Sequence, residues 1–141
     1  MRKLVTGAAT GLLALSLASA SASAQKAEDA LGVWLHPDNG SNVEFYKCGD
    51  RVCGKIVKVI DGQQTDDKNP DPAKRNRPIV GLVIMEGAKQ KGDNKWSGKL
   101  YNRENGKTYS GTVTVKTKDT LDLSGCVAAV LCRTVTWTRV K

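Results

Sequence analysis

The segments Lys95–Asn102, KWSGKLYN, and Lys107–Thr117, KTYSGTVTVKT, decide the fold. In the first, Trp96, Gly98 and Leu100 alternate with Ser97, Lys99 and Tyr101. In the second, Tyr109, Gly111, Val113 and Val115 alternate with Thr108, Ser110, Thr112, Thr114 and Lys116. A period of two with β-branched residues marks strands that bury one face and wet the other. Asn105-Gly106 between them is a tight-turn pair, so the two segments form an antiparallel hairpin.

The pattern continues in both directions. Lys118-Asp119 turns the chain into Thr120–Val127, and Leu131–Val140 follows with Thr134, Thr136 and Thr138 on its outer face. Upstream, Leu31–Leu35, Val43–Cys48 and Val52–Ile60 read as strands, separated by turn clusters at His36–Gly40 and Gly49–Arg51. Ile79–Met85 is apolar and β-branched, which predicts a strand buried on both faces, and Gly87–Asn94 reads as a polar connection. These segments make about eight strands in a meander. An all-β antiparallel barrel closes such a chain without leaving an edge, and a two-sheet sandwich is the alternative. Gly54, Gly81, Gly98, Gly111 and Gly125 each lie two residues from apolar neighbours on the same face. A glycine there serves either sharp coiling of a small barrel or space for a ligand inside it.

The N-terminus has the layout of an export signal: basic Arg2 and Lys3, an apolar Leu4–Leu17, and Ala22-Ser23-Ala24 as a cleavage site. The apolar run is too short for a membrane span. The expected organisation is a signal peptide at 1–24 and a single domain at 25–141, periplasmic or secreted and without a transmembrane anchor. Losing Arg2 and Lys3 lowers the formal charge from +8 to +6. A basic exported domain can meet anionic envelope components, while nucleic acid is not an expected partner there. Cys48, Cys53, Cys126 and Cys132 suit disulfides better than zinc, for which the C-x4-C and C-x5-C spacings and a lone His36 are poorly arranged. If the first pair flanks a hairpin loop and the second the last turn, Cys48–Cys53 and Cys126–Cys132 are the expected bridges.

Gly62–Pro78, GQQTDDKNPDPAKRNRP, interrupts the strands with three prolines and no apolar pattern. A loop this long is a candidate functional element. Asp66, Asp67, Asn69 and Asp71 are rich in oxygen but lack the spacing of a calcium loop, so no metal is expected. Arg75 and Arg77 can clamp an anion or pair within the loop. Arg133 and Arg139 share a strand face with Trp137. An arginine on such a face needs water, a carboxylate or an acidic ligand group. Nothing singles out a catalytic set around His36, and no cofactor is expected.

The ordered set Gly32-Val33-Trp34, Cys48-x4-Cys53-Gly54-Lys55-Ile56-Val57, Asn69-Pro70-Asp71-Pro72-x-x-Arg75-x-Arg77-Pro78, Trp96-Ser97-Gly98, Gly106-Lys107-Thr108-Tyr109 and Thr136-Trp137-Thr138-Arg139-Val140 resembles an exported bacterial family. This is the family catalogued as domain of unknown function twenty-one forty-seven. The resemblance implies a lipocalin-like barrel without an established activity. It also implies that Trp34 on the first strand stacks with Arg139 near the chain's end. Two functions follow as expectations. One is binding of a small apolar or acidic amphipathic ligand inside the barrel, with Arg75, Arg77 and Arg133 as candidate contacts. The other is an envelope-interaction module with a filled core, binding anionic polymer or protein through its basic surface.

Overall fold

The computed structural model describes residues 24–141, so the expected signal peptide lies outside the described residues except for Ala24. Eight antiparallel strands close into a barrel in sequence order. They are β1 (Gly32–Leu35), β2 (Asn42–Cys48), β3 (Arg51–Lys58), β4 (Val83–Gly92), β5 (Lys95–Asn102), β6 (Lys107–Val115), β7 (Thr120–Val127) and β8 (Leu131–Arg139). β8 closes on β1 through Trp34 opposite Arg139 and Leu35 opposite Thr138.

Sheet connections alternate between the two ends. One end carries the β2–β3, β4–β5 and β6–β7 hairpins and is closed by the 3-10 turn Ala27–Ala30. Trp34 Nε1 donates to Ala30 O at 2.8 Å and Trp96 Nε1 to Ala27 O at 2.6 Å. Two buried indoles thus satisfy their N–H groups while fixing the plug to the barrel floor. Val113, Val115 and Leu121 complete the packing there. The other end carries the β1–β2, β3–β4, β5–β6 and β7–β8 connections.

Arg139 joins the floor to the barrel seam. Its guanidinium carbon lies 4.2 Å from the centroid of the Trp34 ring. The same group donates to Lys118 O at 2.7 Å, Leu31 O at 2.9 Å and Asp29 O. A Cβ at Gly32 would come within 2.7 Å of Arg139 Nη1, and Gly32 has φ +121°. The glycine two residues before Trp34 therefore leaves room for the arginine. Arg139→Ala should destabilise the protein by about 1–3 kcal/mol through lost cation–π and hydrogen-bond terms. Arg139→Lys should not restore it, because lysine lacks the planar fork. Thermal denaturation of both variants tests this; wild-type melting for either would contradict the role.

Both cysteine pairs, Cys48–Cys53 and Cys126–Cys132, form local disulfides that clamp hairpins at opposite ends.

The fourth strand departs from expectation. It spans Val83–Gly92, so Gly87–Asn94 is mostly strand rather than connection, and the turn is Asp93-Asn94. Two register shifts against β5 break the alternation that would have revealed it. Gly87 sits at φ +57° within the first shift, where a side chain would be strained. Ile79 to Leu82 forms a turn instead of a strand: Leu82 N–H donates to Ile79 O at 3.0 Å, and Gly81 has φ +90°. Ile79 and Leu82 are buried in the hydrophobic core, which explains their apolar character.

Candidate functional site

A cavity of about 270 Å³ opens at the end opposite the 3-10 turn Ala27–Ala30. Val43, Ile56, Ile84, Leu123, Val135 and Trp137 form its inner wall. His36, Asp38, Asn39, Asn102, Arg103, Glu104, Asn105 and Arg133 stand around it from the β1–β2 turn, the end of β5, the β5–β6 turn and β8. The result is an apolar interior below a polar rim, because each strand turns its alternate apolar residues inward while the β1–β2 and β5–β6 turns are polar.

Glycines account for the cavity's shape. Gly98, Gly111 and Gly125 face one another in register across β5, β6 and β7. A Cβ at Gly98 would lie 3.0 Å from Ala88 Cα, and one at Gly111 would lie 2.7 Å from Leu100 Cβ. Those two, with Gly54 against Phe45, allow close packing rather than space. Gly125 differs: its nearest neighbour would be Tyr109 Cβ at 3.6 Å, an ordinary contact, and it borders the cavity. The two explanations for the glycines therefore divide between positions. Gly81, counted with them from the sequence, lies in a turn instead.

Arg133 lies beside Gly125 in the register and borders the cavity. Its Nη2 is 2.9 Å from Asp38 Oδ2, in a pair whose side chains are 79% and 48% exposed. An ion pair this exposed contributes little and yields readily to a competing anion. Arg75 and Arg77 are not among the cavity residues. Arg75 Nε donates to Asn69 O at 2.8 Å, and Arg77 forms a salt bridge to Asp66 at 2.9 Å. Asp66 is fully buried and also accepts from Tyr101 Oη at 2.6 Å and Asn69 Nδ2 at 2.8 Å. Arg75 thus braces the loop internally, and Arg77, through Asp66 and Tyr101, helps hold Gly62–Pro78 against β5. Burial and the hydrogen bond to Asp66 push the Tyr101 phenol up to about 12. Asp71, another member of the acidic run, caps a 3-10 turn by accepting from Ala73 N–H at 3.0 Å. Arg77 instead borders a second hollow, of about 360 Å³, on the outside of β4 and β5 with Lys74 and Lys99.

The residue that sequence reasoning passed over is Arg103. In a turn beside Glu104 and Asn105 it reads as solvated, yet it is only 4% exposed. Its Nη2 contacts Asp61 Oδ2 at 2.7 Å and Ser41 Oγ at 2.8 Å, and Nη1 donates to Gln63 Oε1. One guanidinium ties the β1–β2, β3–β4 and β5–β6 connections together at the mouth. Its hydrogen bond is the main reason that the Asp61 carboxyl lies below its ordinary range. No local pattern distinguishes such an arginine, because its partners lie 40 and more residues away.

His36 packs on Trp137 with ring centroids 5.0 Å apart. Its Nδ1 accepts from Asp38 N–H at 3.2 Å, so the neutral ring carries its proton on Nε2. Burial lowers its pKa below the ordinary 6.5, outweighing the opposing pull of Asp38 and Glu104; Arg103 and Arg133 add to the lowering. The unfolded chain therefore binds more protons than the folded one just below pH 6.5. The contribution of neutral His36 to stability is fully present above that value and declines as pH falls towards the folded pKa. Urea midpoints across this window should fall less with acidification in His36→Gln than in wild type. Parallel curves would contradict the assignment.

A closed eight-stranded antiparallel meander with a cavity open at one end is a lipocalin-like barrel. The chain belongs to the DUF2147 family, described as an uncharacterized protein conserved in bacteria, whose model matches residues 32–139. A similar solved structure is that of protein HP1028 from Helicobacter pylori, described as belonging to the lipocalin family. The two share 26% sequence identity, the match covers 79% of this chain and 83% of that one, and the TM-score is 0.70. No curated protein matches the chain.

Proposed function

We propose that this protein is an exported, non-enzymatic carrier of a small amphipathic molecule. The observation that carries this reading is the single-ended cavity, apolar inside and polar at the rim. The ligand's apolar part lies against Val43, Ile56, Leu123 and Val135. Its polar or acidic group meets Arg133 at the rim. A volume of about 270 Å³ lies just below the usual range for small-molecule sites, which favours a single ring or a short chain over a long acyl tail. Two disulfides and an export-type N-terminus support a periplasmic or secreted setting.

Calorimetric titration with octanoate and octanol at low and high salt tests the proposal. Octanoate should bind more tightly than octanol at low salt, and the difference should shrink in high salt. Arg133→Ala should remove the preference and leave octanol binding intact. Absence of binding by both probes would count against the carrier reading. A preference retained in Arg133→Ala would remove Arg133 from it.

A further inference from the structure

Large apolar side chains stand exposed at Leu35, Ile60, Val80, Val127, Val130, Leu131 and Val140 among the described residues. Their distribution is uneven. Ile60 and Val80 belong to the β3–β4 connection, and Val127, Val130 and Leu131 to the β7–β8 hairpin, all at the cavity end. Val140 follows β8 at the closed end, and Leu35 lies on β1.

The hairpin tip is the most pronounced case. Between Cys126 and Cys132 the sequence is VAAVL, with no polar side chain. Val127 is 55% exposed, Val130 84% and Leu131 68%. A turn facing only water would ordinarily carry Asn, Asp, Gly or Ser. The Cys126–Cys132 disulfide clamps its base, and Ala128 holds φ +52° at its apex. The apolar residues are thus presented on a constrained projection. Lys107 at the start of β6 and Arg133 on β8, the latter paired with Asp38, lie on the strands next to it and within it, and the mature chain is basic overall.

We infer that this clamped hairpin tip docks the cavity end onto a bilayer containing anionic lipid. A convex tip of this width cannot bury the roughly 1,000 Å² expected of a stable protein interface. A hydrocarbon phase imposes no shape and accepts isolated aliphatic side chains. Lys107 beside the tip, Arg133 where an anion displaces Asp38 from it, and the net positive charge of the chain complement anionic head groups. Docking would bring the cavity mouth to the phase in which an amphipathic ligand resides. It is measured on ligand-free vesicles, so it can fail while ligand binding stands, and the converse.

Flotation of the mature protein with phosphatidylcholine vesicles, with and without phosphatidylglycerol, is the test. Wild type should float with the phosphatidylglycerol vesicles and less with phosphatidylcholine alone. Val130→Ser with Leu131→Ser should lower the partition coefficient by about tenfold or more. Val140→Ser, at the opposite end, should float as wild type does. In a separate protein, Val130→Trp should show a blue-shifted emission on adding phosphatidylglycerol vesicles, independently of how the double variant behaves. The inference is overturned if wild type floats with neither vesicle, if the double variant floats equally well, or if the Val130→Trp emission does not move. A concentration-dependent dimer abolished by the double change, with no vesicle binding, would assign the tip to a second copy instead.

Discussion

Gly125→Leu should abolish ligand binding while leaving the barrel folded. The position lies in β7 and borders the cavity, and a Cβ added there would meet nothing closer than 3.6 Å. A leucine there occupies space that a ligand would need in a cavity of only about 270 Å³. It also buries aliphatic surface worth on the order of 1–2 kcal/mol, so thermal stability should hold or rise. Loss of binding through unfolding is thereby distinguishable from loss through filling. Gly111→Leu is the contrasting change: its Cβ would meet Leu100 Cβ at 2.7 Å and Met85 Cε at 3.0 Å, so overpacking should destabilise by about 1–3 kcal/mol. Calorimetric titration with octanoate, paired with melting curves, checks both. A Gly125→Leu protein that binds as wild type does would place the ligand elsewhere.

Arg103→Ala should be the most damaging change at the mouth. It removes a buried guanidinium and leaves Asp61 and Ser41 without their shared partner. Truncating one member of such a network costs about 2–4 kcal/mol, less than a fully buried pair because the Asp61 side chain is 29% exposed. The β3–β4 connection should loosen with it, since Gln63 also loses its bond to Arg103. Amide exchange at Asp66 and Ile79, whose N–H groups bond across this connection, reports that loosening. The pH dependence carries a sign. The Asp61 carboxyl is held below its ordinary 3.8 in the folded protein, chiefly by its hydrogen bond to Arg103. The contribution is fully present above that value and is lost as pH falls through the lower folded pKa. The stability gap between wild type and Arg103→Ala should therefore narrow only in acid below about pH 4. A gap unchanged between neutral pH and pH 2 would contradict the ion-pair account.

How much of this was legible depended on whether the signal was local. β5 to β8 were readable because regular pairing preserves strict alternation from Lys95 to Arg139. β4 was hidden because its two register shifts put successive residues out of phase, and because Ile79 and Leu82 are apolar for a different purpose. The disulfides followed from hairpin spacing. The site was less legible. Arg133 could be placed on the inner face by counting from Trp137, whereas Arg75 and Arg77 share a loop with the buried carboxylate that engages one of them. Arg103 depends wholly on partners distant in sequence, and the meaning of Gly125 depends on what lies opposite it across the barrel. Alternation identifies the inner face, but only tertiary geometry tells a filled position from an empty one.

The central claim is that the cavity holds a small molecule. Native mass spectrometry of the protein, isolated from the cells that make it, measures this most directly. Wild type should carry an added mass that is released on gentle activation, and Gly125→Leu, prepared in parallel, should run at the mass of its polypeptide alone. A wild-type spectrum showing only polypeptide, or the same adduct on both proteins, would contradict the account.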